Sequence, residues 1–107
     1  MPDPVLALTL RPKIIDALCT VYDPEIPVNI WEMGLIYDIR IDDDRRVHIQ
    51  MTLTAPACPA AQALPLEVER AVRAVDGVAD ATVEVVWDPA WSADRMSDAA
   101  RLALGML

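Results

Sequence analysis

The stretch of sequence that decides the fold is Met51-Thr-Leu-Thr-Ala-Pro-Ala-Cys-Pro-Ala-Ala-Gln62. It begins as a strand, breaks at residues 55–57, and continues as a helix after Cys58. Pro59 fits the first helical position, because the backbone donor that proline lacks has no partner there. We therefore predict that Cys58 is the N-cap of a helix, where free N–H groups and the helix dipole stabilise a thiolate. Cys58 is the first candidate for a nucleophile or a metal ligand.

The composition indicates a single acidic domain. The 107 residues are enough for one hydrophobic core but not for two. The formal net charge of −8 argues against binding to nucleic acid or to an anionic membrane, because both partners carry phosphate charge. The N-terminus lacks the basic start and apolar segment of a signal peptide, and no apolar run reaches membrane-spanning length. We therefore expect a cytoplasmic protein in which both cysteines stay reduced.

The first half of the chain predicts a helix followed by a hairpin. Residues 1–11 are predicted to be a loose lead-in, and apolar residues then recur at helical spacing from about Pro12 to Tyr22. Cys19 lies beside that apolar stripe and is expected to be an inert residue of the core. Residues 35–42 and 47–54 alternate apolar and polar side chains, which predicts an antiparallel hairpin with one face in water.

The second half predicts a helix, a third strand and a last short helix. The helix after Cys58 should run to about Ala74, with Pro65 splitting off a first turn at residues 59–63. Residues 81–87 then form a strand, and the helical crossover before it implies parallel pairing with the hairpin. A short helix capped by Ser92 should end near Leu104. The predicted fold is α+β: helices on one face of a three-stranded mixed sheet, in the order α-β-β-α-β-α.

A stiff acidic loop, Asp23-Pro-Glu-Ile-Pro-Val-Asn-Ile30, lies between the first helix and the hairpin. Its two prolines end the helix and forbid another. Asp23, Glu25 and Asn29 supply polar groups to this loop. These groups either satisfy local backbone donors, as they commonly do in turns, or form a rigid acidic loop beside Cys58. Composition alone favours the first interpretation.

The sequence carries few other groups for catalysis or metal binding. His48, the one histidine, falls on the polar side of the hairpin and roughly 30 Å of extended chain before Cys58, which disfavours a thiol-dependent enzyme. No Cys-x-x-Cys or His-x-x-x-His occurs, which excludes a closed zinc site within one chain. One thiolate cannot hold an iron–sulfur cluster, which needs about four ligands. A cluster would have to be shared between subunits, with a partner, or with a small thiol.

Four segments occur along the chain in a distinctive order: residues 23–30, Gly34-Leu-Ile-Tyr37, residues 51–59 and Val85-Val-Trp-Asp-Pro89. These segments and their order resemble those of the metal–sulfur cluster biosynthesis family. The resemblance covers the chain from about Lys13 to Leu104. The resemblance favours the SufT-like iron–sulfur cluster assembly proteins of that family. The related PaaD-like proteins carry a cysteine-rich C-terminal extension, whereas no cysteine follows Cys58 here.

The resemblance implies an auxiliary factor in iron–sulfur cluster assembly or transfer to client proteins, and not an enzyme. It implies that Cys58 is a transient ligand of iron or of an iron–sulfur cluster, framed by Thr54 and Pro59. The family's acidic loop falls on Asp23 and Glu25, with Asn29 in the same loop. The implied partners are the assembly machinery and client apoproteins, and a homodimer is compatible with them.

Three alternatives remain open at the level of sequence. The domain could be an adaptor that docks clients onto the assembly machinery without ligating metal; charge reversal at Asp23 or Glu25 would then do more harm than Cys58→Ser. It could instead be a PaaD-like maturation subunit of a phenylacetyl-CoA ring-epoxidising complex. In the third alternative Cys58 only caps a helix.

Overall fold

The computed structural model describes residues 4–23, 27–54 and 61–105. This part of the chain forms the predicted α+β fold, with the elements in the predicted order. None of its helices is long and apolar enough to cross a membrane. Short 3₁₀ turns, Ala61–Ala63 and Ala93–Arg95, precede the second and third helices. The elements are α1 (Pro4–Leu18), β1 (Ile36–Ile41), β2 (Arg46–Met51), α2 (Leu64–Arg73), β3 (Asp80–Val85) and α3 (Asp98–Ala103).

The three strands form one mixed sheet with β2 in the centre. β1 and β2 form the predicted antiparallel hairpin. β3 pairs with β2 in parallel, from Arg46↔Asp80 to Met51↔Val85. The parallel pairing follows from α2, because a helical crossover returns the chain to the same end of the sheet. The sequence predicted both pairings.

The core lies between the sheet and helices α1 and α2. α1 contacts β1 and α2, and α2 contacts β3. In β2 every second residue is buried and the residues between them face solvent, as the alternation predicted. In α2 the buried residues recur every four positions, which places them on one face of the helix. Residues that these elements bury include Leu10, Ile14, Leu18, Val47, Ile49, Met51, Leu64, Val68 and Val72.

α1 begins earlier than predicted. It starts at Pro4 and contains Pro12, so residues 4–11 are helical and the predicted loose lead-in over them is wrong. Leu10 explains the difference, because it is buried and lies against the turn at Gly77. Burial of Leu10 favours the helix in spite of Pro12, since a proline inside a helix costs roughly 3 kcal/mol. The helix ends at Leu18, four residues before the predicted end.

α2 begins later than predicted. Pro65 lies in its first turn, and the 3₁₀ turn over residues 61–63 precedes it, so the predicted split of this helix is confirmed. Its N-cap is Ala63, which makes no side-chain cap bond. Cys58, which was predicted to cap the first turn over residues 59–63, lies outside the described residues. Pro65 lies at the start of α2, where proline fits because the backbone donor that it lacks has no partner there.

α3 is capped by Ser97 and not by Ser92. The Ser97 hydroxyl oxygen accepts a hydrogen bond from the Ala100 N–H at 3.0 Å. Ser92 precedes the 3₁₀ turn of residues 93–95, and its side chain makes no cap bond. Met96, which is buried, separates the turn from the helix. The 3₁₀ turn ends before the buried Met96, and the next residue, Ser97, caps α3.

Candidate functional site

Backbone hydrogen bonds tie the acidic loop to the end of β2. The Ile30 N–H donates to the Val21 carbonyl at 2.8 Å, which closes the base of the loop. The Leu35 N–H donates to the Ile30 carbonyl at 3.2 Å, and the Thr52 N–H donates to the Leu35 carbonyl at 2.9 Å. The base of the loop and the segment that leads toward Cys58 therefore lie at the same end of the sheet.

Two predicted residues of the acidic loop make local backbone contacts. Asp23 is only 7% exposed, and its N–H donates to the Val28 carbonyl at 3.2 Å. The Asn29 side-chain oxygen accepts from the Glu32 N–H at 2.9 Å. A one-residue bridge between Tyr22 and Asn29 closes the loop further. The Asn29 contact is of the kind that is common in turns, in which polar side chains satisfy nearby donors.

The other predicted site residues lie at or beyond the end of β2. Thr54 is half-buried in a bend that follows the strand. Cys58, Pro59 and, in the acidic loop, Glu25 lie outside the described residues. The structure thus brings the backbone around Asp23, Asn29 and Thr54 to one end of the sheet.

Thr52 is a residue that sequence reasoning missed. The alternation placed its side chain on the polar face of the hairpin, yet it is 0% exposed. Within the described residues its hydroxyl oxygen has no hydrogen-bond partner. A buried polar group without a partner costs roughly 1–3 kcal/mol. Nothing in the local alternation signals this burial.

A cluster around Tyr37 joins two of the segments quoted above. β1 shifts register between Ile36, which pairs with Met51, and Asp38, so Tyr37 leaves the predicted apolar alternation. The Tyr37 hydroxyl donates to the Pro89 carbonyl at 2.8 Å. The Arg95 guanidinium carbon lies 4.5 Å from the centroid of the Tyr37 ring. A cavity of about 410 Å³ opens here, lined by Gly34, Ile36, Tyr37, Pro89 and Arg95.

Cys19 has the properties of a structural thiol. Burial raises the pKa of Cys19, and the negative charges of Glu32 and Asp16 raise it further. A raised pKa leaves less thiolate at neutral pH, and the thiolate is both the nucleophile and the metal ligand. Cys19 is therefore a poor candidate for reaction or ligation.

His48 contacts β3 from the solvent-facing side of the sheet. Its Nδ1 lies 2.9 Å from the Thr82 hydroxyl, and its Nε2 lies 3.2 Å from a carboxylate oxygen of Glu84. The two contacts join neighbouring strands, as cross-strand polar pairs commonly do. His48 thus makes cross-strand contacts on the solvent-facing side of the sheet, the side that the sequence predicted for it.

The family model for iron–sulfur cluster assembly proteins matches residues 11–85. The chain belongs to the iron–sulfur cluster assembly protein family. It is 46% identical to an Fe-S protein maturation auxiliary factor of Porphyromonas gingivalis, over 94% of this chain and 95% of that protein. It is 35% identical to the Fe-S protein maturation auxiliary factor SufT of Staphylococcus aureus, over 80% of this chain and 98% of SufT. The resemblance inferred from the four segments is confirmed.

A solved structure with a similar chain supports the fold. The crystal structure of a domain of unknown function, DUF59, from Bacillus anthracis matches this protein with a TM-score of 0.86. The two chains are 37% identical, and the match covers 94% of this chain and 95% of that one. The three helices and the mixed sheet agree with that structure.

For an iron–sulfur cluster assembly protein, the supply of metal ligands is the central chemical question. The described residues contain no group of three or more His, Cys, Asp or Glu side chains that could hold a metal ion.

Proposed function

We propose that the protein is an auxiliary factor in iron–sulfur cluster assembly or transfer, with iron or a cluster as its cargo. The observation that carries this proposal is the family match over residues 11–85, a range that includes Cys58. The Porphyromonas gingivalis relative, named as a maturation auxiliary factor, is covered over 95% of its length. The cargo passes to client apoproteins in the cytoplasm, and the protein acts without catalysing a reaction of its own.

In this proposal Cys58 is the transient thiolate ligand of the cargo. The raised pKa of Cys19 disfavours the other thiol. A single thiolate supplies only part of the coordination that iron in a cluster requires. The remaining ligands come from a partner protein, a second subunit or a small thiol. Incomplete coordination by one chain suits a transfer factor, because a cargo with one protein ligand is released more easily than one with four.

Anaerobic reconstitution with ferrous iron and sulfide tests the role of Cys58. Iron and acid-labile sulfide bound per chain are measured for the wild type, Cys58→Ser and the matched control Cys19→Ser. We expect bound iron to be lost in Cys58→Ser and retained in Cys19→Ser. Circular dichroism confirms that each variant is folded. Equal binding by wild type and Cys58→Ser, or no binding by any variant, would rule out ligation by Cys58 in the isolated protein.

The adaptor alternative needs a different test from the one that sequence alone suggested. Because Asp23 is 7% exposed, charge reversal there would place a lysine in a nearly buried position and disturb folding. A loss of function in that variant would not separate docking from stability. Charge reversal at Glu25 is the better test, provided that the melting temperature of the variant matches that of the wild type.

A further inference from the structure

We propose that the cavity between Tyr37, Pro89 and Arg95 binds a carboxylate side chain presented by a peptide segment of a partner protein. This inference goes beyond the proposed function, because nothing in it depends on metal ligation by Cys58. It rests on the orientation of one arginine, on the shape and lining of the cavity, and on the charge of the chain.

The Arg95 guanidinium is held in place before any ligand arrives. Its carbon lies 4.5 Å from the Tyr37 ring centroid, and the Tyr37 hydroxyl is anchored to the Pro89 carbonyl at 2.8 Å. The backbone of Arg95 is fixed by its N–H, which donates to the Ser92 carbonyl at 3.0 Å, and by close contact with Gly34. A side chain ordered in advance loses less conformational entropy on binding.

The hydrogen-bonding edge of this guanidinium is available. Stacking on an aromatic ring uses the face of the guanidinium and leaves its N–H donors free to bind a carboxylate in a bidentate pair. Among the described residues, carboxylates pair with several other arginines, but none pairs with Arg95. The paired arginines are Arg40, Arg46, Arg73 and Arg101. What distinguishes Arg95 from the other arginines without an ion pair is its position over the Tyr37 ring.

The charge of the chain favours a single carboxylate over a polyanion. A net charge of −8 repels highly charged anions at long range. One carboxylate suffers little of that repulsion and gains a short-range, charge-assisted hydrogen bond. The cavity of about 410 Å³ also offers apolar surface from Ile36 and Pro89. An extended peptide with an aspartate or glutamate between apolar residues fits this cavity. Its carboxylate would pair with the Arg95 guanidinium, and its apolar side chains would contact Ile36 and Pro89.

A peptide bound in this cavity would lie beside the strand that leads toward Cys58. Ile36, which lines the cavity, pairs with Met51 at the end of β2. The neighbouring Leu35 carbonyl accepts from the Thr52 N–H at 2.9 Å. Docking here would therefore place a partner protein at the same end of the sheet as the segment that carries the thiol.

The test is an NMR titration of the metal-free, full-length Cys58→Ser variant, labelled with ¹⁵N. The probes are the peptide acetyl-Val-Glu-Val-amide and its matched neutral analogue acetyl-Val-Gln-Val-amide. We expect saturable shifts of the amide signals of Gly34, Ile36 and Tyr37 with the glutamate peptide. The neutral peptide should bind roughly tenfold more weakly, because it cannot form the charge-assisted pair. The Arg95→Lys variant should lose affinity for the glutamate peptide to a similar degree, roughly tenfold, because lysine keeps the charge but loses the planar fork.

Arg40→Lys is the matched control, because Arg40 lies on the exposed sheet face and pairs with Asp38. Arg40→Lys in the Cys58→Ser background should bind the glutamate peptide as tightly as Cys58→Ser alone. Equal shifts with both peptides, or unchanged affinity in Arg95→Lys, would overturn the proposal. Equal shifts with sodium acetate at the same concentration would overturn the assignment to a peptide. Because the titration uses metal-free protein without Cys58, its failure is distinct from a failure of iron binding.

Discussion

Gly34 lies so close to Arg95 that a Cβ atom on Gly34 would stand 2.2 Å from the Arg95 carbonyl oxygen. Gly34 also has a φ of +77°, a conformation that side chains with a Cβ rarely adopt. The contact joins the turn before β1 to the 3₁₀ turn that carries Arg95. The Arg95 cavity therefore depends on a glycine at position 34 as well as on its lining side chains.

We expect Gly34→Ala to lower the free energy of unfolding by about 3 kcal/mol or more, from left-handed strain and overpacking together. Urea denaturation followed by circular dichroism measures the loss. Gly105→Ala is the matched control, because Gly105 has a φ of +74° but no neighbouring atom within 4 Å of the added Cβ. It should cost only about 1–2 kcal/mol, because the left-handed strain remains without the overpacking. Equal losses in the two variants would contradict the role of the Arg95 contact.

The raised pKa of Cys19 predicts slow alkylation. In Cys58→Ser, Cys19 should react with iodoacetamide several-fold more slowly at pH 7.5 than free N-acetylcysteine does. The rate should keep rising with pH after the rate of the free thiol has levelled off, because more Cys19 thiolate forms as the solution becomes more basic.

The same thiol should respond to the charge of Glu32. Glu32→Gln removes one of the negative charges that raise the pKa of Cys19, so alkylation should accelerate. Asp38→Asn, which changes a carboxylate on the sheet, should leave the rate unchanged. An alkylation rate for Cys19 equal to that of the free thiol would show that its thiolate is not disfavoured.

The ion pair between Arg73 and Asp80 should make a small, pH-dependent contribution to stability. Arg73 Nε donates to an Asp80 oxygen at 2.9 Å, and this bond is the main reason that the pKa of Asp80 is lowered. An unfolded aspartate titrates near about 3.9, so the contribution is present above that pH. It is lost as the pH falls through the lowered pKa of the folded state.

A double-mutant cycle with Arg73→Gln and Asp80→Asn measures this contribution. The coupling in melting temperature should be detectable at pH 7 and should weaken as acid protonates Asp80, and it should be small because both side chains are half exposed. Coupling that did not weaken at any acidic pH at which the protein stays folded would refute the electrostatic origin.

The sheet could be predicted from sequence because its signal is local. Alternation along β1 and β2 reports which side chains face the core, and α2 between β2 and β3 dictates parallel pairing. The ends of the helices were predicted less well. Pro12 and Ser92 have the chemistry of helix starts, but burial of Leu10 and Met96 decides where α1 and α3 begin.

The candidate site could be predicted only in part, because its contacts are long-range. The four quoted segments named Gly34, Tyr37 and Pro89, but nothing in their order indicates that Tyr37 donates to Pro89 across 52 positions. Arg95 belongs to no quoted segment, and its stacking on Tyr37 depends on the course of the chain after β3. Local patterns identify side chains, whereas the fold decides which of them meet.

Thr52 offers a test of a buried hydroxyl at the end of β2. Its side chain is 0% exposed, and within the described residues its oxygen has no hydrogen-bond partner. We expect Thr52→Val to raise the free energy of unfolding by about 1 kcal/mol, because valine has a similar shape and removes the unpaired polar group. Thr20→Val is the control: the Thr20 hydroxyl is exposed and donates to the Ala17 carbonyl at 2.6 Å, so that variant should gain nothing.

Urea denaturation of the two threonine variants beside the wild type measures the difference. A loss of stability in Thr52→Val would show that the hydroxyl is paired in solution. If Thr52→Val is instead more stable but binds less iron in the reconstitution assay, the hydroxyl is retained at a cost in stability for a role beside the thiol. Proteins commonly keep destabilising polar groups where function requires them. That outcome would therefore add Thr52, at the end of β2, to the functional site of Cys58.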